Sequence, residues 1–179
     1  PNRSAKRERE REQPMSENED IGSPNRLAAD PTPLYFEDYA ADFKIAGGAY
    51  HVTEALVLEF GRRFDPQPFH TDPVAAAKSR FGGLIAPGCL TFSIRQALYN
   101  QLPCRPVLVA GLGLESLDLA TPVRPGDVLS LKVEVEDSRR SKSRPDTGIV
   151  TTRQRVENQN GEPVLTMLAK MIVQARDAG

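Results

Sequence analysis

Residues 64–70 read FDPQPFH and place Asp65 five positions before His70, one of only two histidines in the chain. A carboxylate and an imidazole aimed at one point are what a general acid/base reaction asks for. On a helix these two side chains would point roughly 140° apart, and in a flat strand they would face opposite sides. Pro66 and Pro68 oppose both elements, since each lacks an N–H and each drives the residue before it, Asp65 or Gln67, out of the helical region. The expected arrangement is a bent, stiff loop that turns the carboxylate toward the imidazole.

The elements around this loop follow from local chemistry. Thr53 is a helix N-cap with Glu54 in the first turn, and Leu56, Phe60 and Phe64 follow at helical spacing until Pro66 stops the helix. Asp72 and Pro73 open a second, short helix through VAAAKS that Gly82 and Gly83 close. PGCLTFSIRQALYNQL, residues 87–102, carries Leu90, Ile94, Ala97 and Leu98 on one stripe and is the longest helical signal. From Val107 onward the period is two: Leu129, Leu131, Val133 and Val135 alternate with Ser130, Lys132, Glu134 and Glu136, and Met167, Ala169, Met171 and Val173 repeat the pattern. With 107–119, 147–157 and a strand region within 35–52, these runs predict an antiparallel sheet, because no helix separates the later strands. One apolar sheet face and one apolar helix stripe must pack together, giving an α+β domain in which a sheet wraps a helix.

Composition narrows the functional classes. The chain has 179 residues, 39% of them hydrophobic, enough for one domain with a sizeable core. A formal net charge of −1 gives no reason to expect nucleic acid or an anionic membrane as partner. No apolar run approaches the roughly 18 residues that span a bilayer, and no signal-peptide pattern opens the chain, so a soluble cytoplasmic protein is expected. Cys89 and Cys104 lack CxxC spacing and are expected to be reduced, buried thiols. No Walker loop, GxGxxG or metal-ligand cluster is found, and no metal, nucleotide or flavin is implied. Residues 1–30 are charged and poor in large apolar groups, the composition of a disordered tail. Met15 is the expected natural start, the stretch before it being a vector or extended-frame remnant.

Four segments together, FDPQPFHTDPVAA (64–76), FGGLIAPGCLTFS (81–93), TPVRPGD (121–127) and SKSRPDTGIV (141–150), resemble the MaoC-like acyl dehydratases, which include the (R)-specific enoyl-CoA hydratases. The resemblance covers roughly residues 35–175. It implies a single hot-dog fold, an antiparallel sheet of about five strands curled round a central helix, here 87–102. It also implies a homodimer or higher homo-oligomer joined through sheet edges, which would cover an edge that a lone unit leaves exposed. The family's acid/base pair, an Asp and a His separated by four residues, falls on Asp65 and His70. Its thioester-binding amide falls on Gly88, and a helix Ser falls on Ser93. The chain departs from the commoner pattern at Gln67, where many members have Asn, at Arg63 and Phe64, where they have Ser-Gly, and at Pro87, where many have His. Gln67, Pro87 and Ser93 are thus candidate substrate-binding positions.

The implied reaction is addition or removal of water at the 2,3 position of an acyl thioester, with coenzyme A entering as part of the substrate and no cofactor. Two rivals share the fold: an acyl-CoA thioesterase, and a non-catalytic subunit that binds acyl chains. An Asp and a His held together in a proline-stiffened loop favour the hydratase, since a purely structural subunit has no need of them. The run SRRSKSR (138–144) is expected to be a solvated hairpin tip rather than a phosphate contact. His51 is expected on the surface.

Overall fold

The computed structural model describes Ala28 and residues 30–176. All but Ala28 and Asp30 of the expected disordered tail lies outside the described residues. The elements run β1 (Thr32–Leu34), a 3-10 turn (Phe36–Asp38), β2 (Lys44–His51), α1 (Glu54–Phe64), α2 (Pro68–Thr71), α3 (Pro73–Lys78), α4 (Gly88–Gln101), β3 (Cys104–Pro106), β4 (Leu108–Asp118), β5 (Val128–Arg140), β6 (Thr147–Glu157) and β7 (Pro163–Gln174). Five strands form one sheet in the order β2-β5-β6-β7-β4, every neighbouring pair antiparallel.

The period-two runs read as expected: Leu129, Leu131 and Val133 of β5 and Leu165 and Met167 of β7 are buried, and they meet Leu90, Ile94 and Leu98 of α4 in one core cluster. Burying side chains of this size contributes about 1.5–3 kcal/mol each, so this seam holds the helix in the curl of the sheet. This is the hot-dog arrangement. A smaller cluster joins Val150, Met171 and Val173 to Tyr39, with Phe36, Phe43 and Val135 packed on it, so residues 34–43 lie across the far part of the sheet as a strap. A side chain at Gly148 would run into the Phe36 ring, and the glycine there is what lets the strap seat closely.

Three local features differ from the sequence expectation. A short parallel pair, β1 with β3, precedes the expected start near Tyr35. FDPQPFH is not wholly a loop: Pro68 stands at the first position of a one-turn helix, α2, where its missing N–H costs nothing, and His70 lies on that turn. The thiols are not both buried, for Cys89 is exposed and Cys104 half-buried. Cys89 lies on the outward stripe of α4 one turn before Ser93, off the Leu90–Ile94–Leu98 stripe. Phe64, the last residue of α1, is 60% exposed, with its ring centre 4.7 Å from that of Phe60.

The two edges of the sheet differ. Both are interrupted, β2 by one register shift between Gly47 and Tyr50 and β4 by three, but β4 also presents a long apolar rim in which Leu112, Leu114 and Leu117 are half-exposed.

Candidate active site

Asp65 and His70 are brought together by three short helices turning tightly on one another. Thr53 Oγ1 accepts the Leu56 N–H at 3.2 Å and starts α1, and Asp65 ends it as the C-cap in a non-helical conformation. Gln67, which is extended, accepts the His70 N–H at 2.9 Å through its carbonyl and so closes the turn of α2. Asp72 Oδ1 accepts the N–H groups of Val74 and Ala75 at 2.8 and 3.1 Å and starts α3 at once. Asp65, Gln67 and Asp72, each of which precedes a proline, all lie outside the helical region, as steric exclusion requires.

His70 is 5% exposed. Its Nδ1 lies 2.7 Å from the Ile85 carbonyl, which can only accept, so Nδ1 carries the proton and donates. That bond fixes the tautomer and directs Nε2 toward Asp65, whose Oδ2 lies 3.4 Å away. The spacing is longer than a tight N–H···O bond and suits two groups that share a water molecule. The Asp65 carboxylate stays about one-third exposed. Phe69 packs edge-on against the imidazole with ring centres 4.5 Å apart.

Gly61 supports this geometry and carried no signal as a functional position. A Cβ there would lie 2.8 Å from the His70 carbonyl and 3.1 Å from His70 Cβ, so only glycine lets α1 approach α2 this closely. A helix-interior glycine near a candidate histidine is the one hint the sequence offered.

The second wall is the start of α4. Pro87 is its N-cap, buried, and its carbonyl accepts from the N–H groups of Leu90 and Thr91 at 3.0 and 3.1 Å. The N–H groups of Gly88 and Cys89 are the first two of the helix and have no partner among the described residues. A cavity of about 360 Å³ lies before them, lined among others by His70, Gly88, Thr91, Leu119 and Val164. A Cβ on Gly88 would stand 2.5 Å from Leu119 Cδ1, so the glycine keeps the approach to the helix N-terminus open.

Of the six candidate positions, Asp65 and His70 face one another, and His70 and Gly88 line one cavity. Pro87 supports the helix start by its carbonyl. Gln67 is exposed and acts through its backbone. Ser93 is exposed, and its Oγ donates to the Cys89 carbonyl at 2.9 Å. His51 is exposed, as expected. Arg140, in the basic run, pairs with Glu37 at 2.8 Å and lies over the Phe36 ring, which fastens the hairpin tip to the strap. Among the described residues no helix is long and apolar enough to cross a membrane, and no group of three or more His, Cys, Asp or Glu is placed to hold a metal ion.

Comparison with known proteins gives this geometry a family. A profile of the MaoC like domain matches residues 42–158. A UPF0336 protein of Streptomyces avermitilis is 30% identical over 138 residues, covering 73% of this chain and 89% of its own. The MaoC-like dehydratase of Rhodospirillum rubrum superposes with a TM-score of 0.72 at 39% identity, over 80% of this chain and 99% of the other. The unliganded R-hydratase PhaJ1 of Pseudomonas aeruginosa superposes with a TM-score of 0.62 at 25% identity, over 80% of this chain and 86% of the other.

Proposed function

The chain belongs to the MaoC-like dehydratase family, and from that premise we propose that it is a hydro-lyase that adds or removes water at the 2,3 position of an acyl-CoA thioester. The observation that carries this reading is the cavity shared by His70 and the Gly88 end of α4, with Asp65 3.4 Å from the imidazole. Nothing in the reaction asks for a cofactor, since the thioester already activates the double bond.

In the hydration direction, a water bound between Asp65 and Nε2 of His70 attacks C3. Asp65 takes one of its protons, while the other stays on the oxygen and donates a hydrogen bond to Nε2, bare because the proton sits on Nδ1, which aims the oxygen. The electron pair of the double bond moves onto the thioester oxygen, where the Gly88 N–H and the positive end of the α4 dipole meet the developing charge. Collapse of that enolate takes the proton from Asp65 onto C2. The hydroxyl stands on C3, and the carboxylate is restored. Dehydration runs the same steps backward.

The half-exposed leucines of β4 support a homodimer in which the two sheets join along that rim, since an apolar edge of this length otherwise invites uncontrolled pairing.

The test is to follow the ultraviolet absorbance of crotonyl-CoA and longer trans-2-enoyl-CoAs with purified protein, while assaying free thiol in the same samples. Absorbance loss without thiol release, abolished in Asp65→Asn, is the expected result. Thiol release without hydration would make the protein a thioesterase instead, and neither signal would leave an acyl-binding subunit.

A further inference from the structure

A second cavity, also of about 360 Å³, lies along the same helix and strands as the first. The first cavity meets Thr91 of α4 and Val164 of β7, together with Leu119 just past β4. The second meets Arg95 and Tyr99 of α4, Leu114 of β4 and Ala169 of β7. Thr91, Arg95 and Tyr99 stand on successive turns of one helix face, so the second cavity lies along α4 in the direction that leads away from Gly88.

Its lining is unusual for a position in the hydrophobic seam. Arg95 is 5% exposed and has no ion pair among the described residues. Among the described residues its one side-chain hydrogen bond goes from Nη1 to the Gln96 side chain at 2.9 Å, its guanidinium stands 4.7 Å from the centre of the Phe92 ring, and its buried Nε has no partner. Gln154, 3% exposed, lines the same cavity. Its Nε2 donates to Thr152 Oγ1 at 3.1 Å, while its Oε1 is buried without a partner. The other cation in the lining, Lys170, is neutralised by Glu115 at 2.9 Å. Burial pushes the Arg95 guanidinium below its usual range and the Tyr99 phenol up to about 12, so Tyr99 stays a neutral donor. A buried, unpaired guanidinium is costly unless something anionic completes it.

We infer that this cavity receives the free carboxylate at the far end of the acyl group, so that the substrate is the monothioester of a short dicarboxylic acid. One uncompensated positive charge matches one carboxylate, and the guanidinium fork takes it through Nε and a terminal nitrogen. A half-turn of the Gln154 amide presents its N–H₂ to the same anion while Oε1 accepts from the Thr152 hydroxyl, which gives up its long 3.5 Å bond to the Ala169 carbonyl. The inference rests on the hydro-lyase reading for the thioester end only, and binding can be measured without turnover.

The experiment is calorimetric titration of the full chain with two pairs of saturated thioesters that cannot be hydrated: succinyl-CoA against butyryl-CoA, and glutaryl-CoA against pentanoyl-CoA. The dicarboxylic member of at least one pair binds about tenfold more tightly or better, and Arg95→Met removes that advantage while leaving butyryl-CoA affinity within about twofold. Equal affinity within both pairs overturns the inference, and that comparison needs no variant to fold. An advantage unchanged in Arg95→Met also overturns it. So does an Arg95→Met protein that dissociates into monomers yet keeps the preference, which would assign Arg95 to a carboxylate of a second copy. Failure of the hydration assay with the preference intact would remove the hydro-lyase reading and leave this site standing. Failure of every thioester to bind would remove both.

Discussion

The two walls of the first cavity are built from different materials. One wall is side-chain chemistry, His70 with Asp65 3.4 Å behind its imidazole, held by caps, prolines and a close helix crossing at Gly61. The other is backbone chemistry, the unpaired N–H groups where α4 begins. A side-chain wall can be erased by one substitution, because the reactive group leaves with the residue. A backbone wall survives most substitutions and is disturbed only by blocking the approach to it. The two walls should therefore fail differently when altered.

The largest effect is expected in the side-chain wall. Asp65→Asn and His70→Ala should each lower kcat by a factor of hundreds or more while circular dichroism shows the fold retained, the usual scale for losing a general acid/base. Combining the two should cost little more than either alone, as for residues acting as a unit. An activity loss under tenfold in both singles would refute their place in the reaction. Gly88→Ala tests the backbone wall: the N–H remains, but its Cβ stands against Leu119 and narrows the approach. A fall in kcat/KM of roughly ten- to a hundredfold is expected, measured with crotonyl-CoA, and a smaller change with Leu119→Ala added back would show that the obstruction is steric.

Smaller effects probe the scaffolding. Gly61→Ala pushes α1 off the His70 carbonyl and should lower stability by about 1–3 kcal/mol in urea unfolding, with kcat falling alongside because the imidazole moves with its turn. Stability loss with kcat unchanged would mean that the crossing does not position His70. Asp72→Ala removes an exposed cap from α3 and should cost about 1 kcal/mol of stability with activity nearly intact.

The same contrast explains what the sequence could and could not show. Caps and periods are local, so Thr53, Asp72, the α4 stripe and the alternation of β5 and β7 were all legible, and the sheet followed from strands without intervening helices. Asp65 and His70 stood out as residue types beside prolines. Gly88 stood out only through the family resemblance, because an open helix N-terminus looks like any other glycine after a proline. The helical turn at Pro68 is hidden in the sequence because, unlike Pro73, this proline follows no Asp, Asn, Ser or Thr cap, and its fixed φ starts a helix as readily as its missing N–H ends one. Arg95 carried no signal at all. Whether a helix-face arginine meets water or a cavity depends on β4 and β7, which arrive in space from much later in the chain.

The central strand β6 has a consequence for how the molecule comes apart. It is hydrogen-bonded on both sides, to β5 and β7, along nearly its whole length, and its Val150 and Val156 rest on the strap and on the α4 core respectively. Its amides should be the last to exchange with deuterated solvent, opening only when the whole domain unfolds. The rim strand β4, tied on one side and interrupted by register shifts, should exchange first among the five. Slow exchange of β4 at high protein concentration, reverting on dilution, would be the solvent's own record of a second copy along that rim.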